Sequence, residues 1–483
     1  KNTKANIFLV LALVVIIGSR FMPEMAGLSS DAWAVLGVFF GSLIMWIGIS
    51  IDWPSMITLL DLGLIPIFGF SGTFAGAFGN TTVAFLLFTF MLVYPLSKTN
   101  FVRRCTIYFI TNRIARKGPW YFICFLLAAV TFMGLFISPS VLFVAFMPFL
   151  EDIFQVLELK KGSKVANVLM MGTAFCISLS SGMTAIGHVW PTMAIGYYTS
   201  ATGNDVNQFQ YMAMGIPTGI ILIVILILIF KFIYRPDDAD TIKPDKAMSL
   251  RGTWPAADFK GKVILGVMLL TVLLWVAPSL VKGVWPQFYE TVNGWSTAMP
   301  PLLGCILLFV IRVDGESIMN FRETASKGVL WGSVLMTAAA TQLGSCLTNE
   351  DVGISAWLTG ALEPLTGNLP VIGLILFFMT WAVVETNFSS NIVTTTVVSA
   401  VALSVLTALP EGSVNVGVVV CMVGFAAAIC NMTPAGQSTV NTVAIGSGWT
   451  DTKSMFIWGG LFAIAGILVL SFIAYPLGSL FIS

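Results

Sequence analysis

Two polar triplets interrupt long apolar stretches, one in each half of the chain: Ser138-Pro139-Ser140 and Ser390-Asn391-Ile392. At membrane depth an unpaired backbone group costs several kcal/mol, so such sequence is tolerated only where it lines a cavity. A pair of interruptions at corresponding positions of two halves points to a transporter's binding site. Where a helix begins near the midplane, its first N–H groups lack intrahelical partners and favour an anion. The serine hydroxyls add donors. Two such tips approaching from opposite faces suit a small dianion better than a sugar or a cation. The competing role for Ser138, Ser140 and Ser390 is helix capping.

His188 is the only histidine and follows Gly187 at the end of an apolar run. A lone histidine is usually a packing residue. Here Thr192-Met193-Ala194-Ile195-Gly196 matches Thr442-Val443-Ala444-Ile445-Gly446, which aligns His188 with Ser438, beside Thr439. Ser138 to Gly196 spans 58 residues and Ser390 to Gly446 spans 56, so a second matched feature stands at a matched distance. This places His188 and Ser438 in unwound, ligand-facing segments. A metal role is not expected, with one histidine and no CxxC pair among the seven cysteines. Asp61 and Glu385 are the acids least expected where they stand; an intramembrane carboxylate is a functional hypothesis by default.

The elements that position these residues are apolar helices. The chain is 57% hydrophobic and 10% charged, against about 25% charged in soluble domains. A net charge of +1 gives no case for nucleic acid. About eleven runs approach the ~20 residues of a crossing, among them 53–70, 298–312 and 415–432. Two regions, 119–150 and 356–407, are too long for one crossing and are read as re-entrant hairpins. Residues 1–23 form a first crossing; they resemble a signal peptide but lack a clear small-x-small cleavage site, so the helix is expected to be retained. Residues 24–234 form one repeat, 235–260 a cytoplasmic linker and 261–483 a second repeat. Five crossings per repeat turn the second copy upside down. Basic residues cluster at 98–117, 160–164 and 231–262, with Arg312, Arg322, Lys327 and Lys453 beyond. A cytoplasmic N-terminus puts all of them inside and leaves Arg20 and Lys282 outside. The first hairpin then enters from the cytoplasm and the second from outside. The fold class is an all-α polytopic protein of the inner membrane.

The sequence resembles the divalent anion/sodium symporter family of di- and tricarboxylate transporters over nearly its whole length. The likeness runs through Trp46 to Gly69, Gly79-Asn80-Thr81-Thr82-Val83-Ala84, both hairpins and Ala166 to Gly196. The family's Ser-Asn-Thr triplets fall on Ser138-Pro139-Ser140 and Ser390-Asn391-Ile392. Its Gly-Thr/Ser-Pro-Pro-Asn-like loops fall on Gly187-His188-Val189-Trp190-Pro191 and Gln437-Ser438-Thr439-Val440-Asn441. The resemblance implies a homodimer in which a transport body holding both hairpins moves as an elevator against a scaffold. It implies no cofactor and no enzymatic activity.

The departures from the pattern have a direction. Pro139 removes an asparagine oxygen, Gly134 offers no hydroxyl, and His188 brings a group that can donate or carry charge. Protein donors are therefore expected to replace at least the first sodium. Ser390, Asn391, Thr386 and Gln437 could retain a cation site in the second half. A site of fixed charge is costly to return empty through the membrane. The expectation is exchange of C4 or C5 dicarboxylates of the succinate, malate and 2-oxoglutarate class. The alternative is a sodium-coupled dicarboxylate or citrate symporter. An intramembrane serine or aspartyl protease lacks its motif, and a channel would not show trans-stimulation.

Overall fold

The computed structural model describes all residues except 1, 26, 254–257, 355, 358–359, 361–369, 411 and 483. The described chain is nearly all helical. The first half runs α1 (Asn2–Ser19), α2 (Ser30–Gly48), α3 (Trp53–Gly63), α4 (Gly69–Phe78), α5 (Thr81–Ser97), α6 (Phe101–Ile110), α7 (Pro119–Gly134), α8 (Pro139–Val156), α9 (Lys164–Met183), α10 (Val189–Thr202) and α11 (Gln208–Leu228). The second runs α12 (Phe259–Val281), α13 (Pro286–Asn293), α14 (Met299–Val310), α15 (Trp331–Leu347), α16 (Val371–Phe388), α17 (Asn391–Leu406), α18 (Val416–Ala426), α19 (Ser438–Gly446) and α20 (Thr452–Val469). Among the described residues, seven helices are long and apolar enough to cross a bilayer, or eight if α4 and α5 count as one bent span. Shorter apolar helices, including α7, α14, α17 and α18, account for much of the rest.

Three runs that read as single crossings are not single helices. Residues 53–70 break between α3 and α4, because Pro66 disfavours a helical Ile65 and Gly69 takes a φ of +62°. The α4–α5 pair is bent by 44°, and the Asn80 side chain caps α5 by accepting from the Thr82 N–H at 2.8 Å. The 298–312 run ends in a two-stranded turn (Arg312–Val313 with Glu316–Ser317) carried by Asp314-Gly315, both at positive φ. The 415–432 run is helical only over the 11 residues of α18. At 1.5 Å per residue that is roughly half the hydrocarbon thickness.

The hairpin signals correspond to helix–tip–helix units. One is α7, a tip at 135–138, and α8. The other is α16, a tip at 389–390, and α17. Part of the first arm of the expected 356–407 hairpin falls on residues 361–369, outside the described residues. Between the hairpins in sequence comes α9, in which every residue from Val165 to Met183 except Asn167 is buried. It packs against α7 and α11, while α10 packs against α15, α17 and α18. In addition, α5 packs against α12 and α14, and α3 against α15.

The 235–260 segment is docked rather than loose over its described part. Lys164 bonds Asp237 at 2.8 Å, Lys246 bonds Glu158 at 2.6 Å, and Arg116 lies 3.6 Å from Asp245. Asp238 accepts from Ser163 Oγ and the Val165 N–H. Asp61 also has a structural partner. Arg20 donates to its carbonyl at 2.7 Å and stands 3.7 Å from its carboxylate, which ties the end of α1 to α3.

Candidate substrate site

Ser138 and Ser390 occupy the N-cap positions of α8 and α17, with extended backbones (φ −60°, ψ 145° and φ −82°, ψ 131°). Neither side chain bonds a first-turn N–H. The capping role is therefore not the one these hydroxyls play, and the first-turn donors of both helices stay unmatched by them. Pro139 at the first helical position fixes φ and removes an N–H that has no helical partner anyway. Ser140 is half-buried in the first turn of α8, and Asn391 and Ile392 are buried in that of α17.

Each tip is held by an unwound segment of its own half, and the contacts match. After α9 the chain unwinds at 184–188; after α18 it unwinds at 427–437. Thr184 Oγ1 donates to the Leu135 carbonyl at 2.7 Å, and Thr192 Oγ1 donates to the Ala185 carbonyl at 2.9 Å. In the second half Thr386 Oγ1 and Asn391 Nδ2 both donate to the Ala427 carbonyl, at 3.1 and 2.9 Å. Asn441 Nδ2 holds the loop through the carbonyls of Cys430 and Thr433, at 3.0 and 2.7 Å. A Cβ on Gly187 would meet the Gly134 carbonyl at 2.7 Å, and one on Gly436 the Thr386 carbonyl at 2.9 Å. Both glycines therefore press on the last helical residue before, or two residues short of, their tip.

These pairs set the register between the halves. Gly187 matches Gly436, Thr192 matches Asn441, and the N-cap residue of α10, His188, matches the N-cap residue of α19, Gln437. The expected pairing of His188 with Ser438 is off by one residue. The identical Thr-x-Ala-Ile-Gly strings begin at the fourth residue of α10 but the fifth of α19, so they are not the geometric repeat. His188 Nδ1 and Gln437 Nε2 are both buried and have no hydrogen-bond partner. A buried polar atom without a partner is rare and calls for an explanation. The His188 ring also lies against Trp190, with centroids 3.9 Å apart.

Ile137, Ser138, Ile186 and Gly187 line one cleft of about 170 Å³, together with Thr89, Tyr94 and Ser97 of α5 and Lys327. Of the predicted substrate residues only Ser138 and Gly187 line it; Pro139, Ser140, His188, Ser390, Asn391, Ile392, Ser438 and Thr439 do not. The second tip is joined to the first through packed segments: a Cβ on Gly182 would meet the Ala428 side chain at 2.7 Å, and Asn431 Nδ2 donates to Ser178 Oγ of α9 at 3.0 Å. Ser438 is exposed, Thr439 half-buried and Gln437 buried.

The halves differ in what stands around each tip. Counting from the tip serines, Thr386, Asn387 and Asn391 of the second half correspond to Gly134, Leu135 and Pro139 of the first. Asn387, absent from the sequence-based site, is the most connected of these. Its Nδ2 donates to the carbonyls of Val383 and Ile429, each at 2.7 Å, and its Oδ1 accepts from the Met432 N–H at 2.8 Å. The sequence signal was the adjacent polar pair Thr386-Asn387 in an apolar helix. At Gly134 a Cβ would fall 1.9 Å from Ser180 Oγ, which itself donates to the Ile177 carbonyl. A side chain bearing oxygen has no room there. Among the residues named for a residual cation, Thr386 and Asn391 already point donors at the one carbonyl between them. Glu385 Oε2 is buried without a partner on the same arm.

The chain matches the sodium:sulfate symporter transmembrane region from residue 3 to 482. It is 24% identical to a sodium-dependent dicarboxylate transporter, SdcS, of Staphylococcus saprophyticus, over 91% of this chain and 86% of that one. SdcS of Staphylococcus aureus (strain RF122) is 23% identical over 83% and 77%. The solved structure of the YdaH transporter of Alcanivorax borkumensis shares the fold, with a TM-score of 0.56 at 12% identity over 89% of both chains. A family match along essentially the whole chain, on a frame of apolar helices, makes this an integral membrane protein that belongs to the sodium:sulfate symporter family, the divalent anion/sodium symporters.

Proposed function

We propose that this protein exchanges C4 or C5 dicarboxylates of the succinate, malate and 2-oxoglutarate class across the membrane. The observation that carries the reading is the pair of orphaned nitrogens, His188 Nδ1 and Gln437 Nε2, at matched helix starts in the two halves. Each stands on the unwound segment that holds a tip, and each tip presents a serine hydroxyl not spent on capping. A two-ended acid offers oxygen to both halves. Substrate contacts are assigned to Ser138, Pro139, Ser140, Gly187, His188, Ser390, Asn391, Ile392, Ser438 and Thr439, and Gln437 joins them as a donor rather than a cation ligand. The names of the SdcS relatives agree with a dicarboxylate.

Exchange is preferred to symport because the first tip keeps the Ser138 hydroxyl but lacks the side-chain oxygens that Thr386, Asn387 and Asn391 bring to the second. Pro139 has no amide, and the space beside Gly134 is filled by Ser180. A hard cation needs several oxygens, and protein donors take its place. Carrying that fixed polarity back empty is unfavourable at bilayer depth, so return waits for a second substrate. The hairpins are re-entrant and belong to a body that moves as an elevator within a homodimer, as the family resemblance implies. The cleft beside Ser138 extends toward Ser97 and Lys327, on the basic face taken as cytoplasmic, which agrees with an inward-open state.

The test is succinate uptake into proteoliposomes. Uptake is expected to need internal dicarboxylate and to ignore a sodium gradient. Uptake driven by sodium into vesicles with no internal acid rejects exchange and leaves sodium-coupled symport. His188→Ala is expected to weaken uptake at least tenfold; wild-type affinity and rate in that variant return His188 to packing.

A further inference from the structure

Three donors converge on a single carboxylate oxygen at the mouth of the cleft. Tyr94, in the last turns of α5, places its hydroxyl 3.3 Å from Oε1 of Glu323. Lys98, one residue past α5, donates to the same oxygen. Lys327 Nζ stands 3.9 Å from it. Tyr94 and Lys98 come from the first half of the chain, whereas Glu323 and Lys327 lie in the segment between α14 and α15 of the second. The Lys98 ammonium also sits 4.6 Å from the centre of the Tyr94 ring, which limits where it can swing.

Two cavities meet at this cluster. Tyr94 and Lys327 line the cleft that contains Ser138 and Gly187. Tyr94, Lys98, Lys260, Asp258 and Glu323 line a neighbouring one of about 190 Å³. A solute reaching Ser138 through the cleft passes Tyr94 and Lys327. The arrangement is already that of a bound carboxylate, with a hydroxyl and two ammonium groups around one oxygen. Its occupant is the protein's own side chain. Glu323 is about 41% exposed, Lys98 48% and Lys327 69%, and ion pairs at such exposure are weak and exchange readily.

We propose that Tyr94, Lys98 and Lys327 form a carboxylate-binding vestibule, filled at rest by Glu323 and taken over by one carboxylate of the incoming dianion on its way to Ser138. The proposal rests on the dicarboxylate reading of the central site. The swap is like for like: each lysine keeps an anionic partner while Glu323 is released to water. Glu323 thereby sets the threshold for anions arriving at this face, and it disfavours monoanions, which bring less charge to displace it.

The KM for succinate, measured separately from each face of oriented proteoliposomes, tests this. Glu323→Gln removes the internal competitor and one negative charge. For a dianion passing ~8 Å from the lost charge, KM at this face is expected to fall about fourfold at ~0.01 M salt and about twofold at ~0.15 M. Lys98→Gln combined with Lys327→Gln is expected to raise it by about the square of those factors. KM at the opposite face stays as in wild type. Equal changes from both faces, or changes indifferent to salt, overturn the proposal.

A second readout does not depend on transport. Acylation of Lys98 and Lys327 by an amine reagent is followed by mass spectrometry in Glu323→Gln, with His188→Ala and Ser390→Ala added to cripple the central site. Succinate is expected to slow labelling at least twofold. Lysines left unprotected overturn the vestibule even where wild-type transport is normal. Lysines protected in a protein whose wild type moves no dicarboxylate uphold the vestibule and overturn the central reading instead.

Discussion

Replacing Asn387 with leucine, the residue at the corresponding place in the first half, isolates what the second tip requires. The change keeps the side-chain volume and removes three hydrogen bonds: Nδ2 to the carbonyls of Val383 and Ile429, and Oδ1 from the Met432 N–H. The Val383 carbonyl keeps its helical partner. The Ile429 carbonyl and Met432 N–H lie in the unwound stretch after α18, where Asn387 is the side chain that serves them. A buried polar group left unmatched costs about 1–3 kcal/mol, so two cost about 2–6 kcal/mol. Asn387 is itself fully buried, so water does not readily replace its amide. The expected outcome in detergent is a melting temperature lower by about 2–6 °C. Succinate counterflow is expected to fall at least tenfold in protein that still runs as a single species, because 427–433 also positions Asn391 through the Ala427 carbonyl. Asn387→Asp should be milder toward Met432, since it keeps the acceptor, but not toward Ile429. Wild-type melting and counterflow in Asn387→Leu would refute the argument, for then 427–437 does not depend on this amide.

Gly187→Ala and Gly436→Ala both drive a methyl into backbone, and Gly436 is the tighter site, at 2.3 Å from the Cys430 carbonyl against 2.7 Å at Gly187. Counterflow is expected to fail in both and thermal stability to drop further in Gly436→Ala; equal tolerance of the two would remove the matched-loop geometry. Gly134→Ser is expected to destabilise by about 1–3 kcal/mol through overpacking against Ser180, and Ser180→Gly in the same protein should recover part of it, read as a partial return of the melting temperature. The docked linker should loosen in acid. Hydrogen bonds from Lys246 to Glu158 and from Lys164 to Asp237 hold both carboxyls below their ordinary range. A depressed carboxyl stabilises above its unfolded pKa and loses that contribution as pH falls through the lowered value. Cleavage within 236–250 by an acid-active protease should therefore rise only below about pH 4; a rise near pH 6 would assign the docking to other groups.

Both hairpins were legible because three polar or helix-breaking residues in an apolar stretch leave few alternatives at membrane depth. The first hairpin's arms run from Pro119 to Val156, against 119–150 from the sequence, and the described arms of the second, α16 and α17, lie inside 356–407. The unwinding after α18 was not legible. Ala426-Ala427-Ala428-Ile429-Cys430 is as apolar and as helix-compatible as what precedes it, so hydropathy continues where the helix stops. Only Pro434 and Gly436, several residues on, mark the change. The break at Pro66, by contrast, is marked in the sequence by Pro66 and Gly69, although the hydropathy of 53–70 runs through them. In sequence Glu385, two residues away, is a more conspicuous group than Asn387; yet Glu385 has an unpartnered oxygen while Asn387 organises the loop. The identical Thr-x-Ala-Ile-Gly strings sit one residue out of step with the helix starts, which sequence does not display, so they pair His188 with Ser438 rather than Gln437.

The contrast between the halves bears on coupling. A repeat built twice from the same plan could hold both tips the same way, yet only the second uses side-chain amides. There Thr386, Asn387 and Asn391 spend their donors on carbonyls of 427–429, the groups a cation would otherwise need. The first tip reaches the same closeness with glycines and the Thr184 hydroxyl, leaving no amide oxygen at Pro139 and no room for a side chain at Gly134. Polar hydrogens already face the carbonyls in one half, and packing closes the other. A cation entering the second half would have to break at least two buried hydrogen bonds, and one entering the first would have to displace Ser180. Donors built into the protein cannot dissociate on either side of the membrane, whereas bound sodium can. In the exchange we propose, the polarity of the site is a constant of the cycle, and the substrate is what differs between the loaded and the returning state.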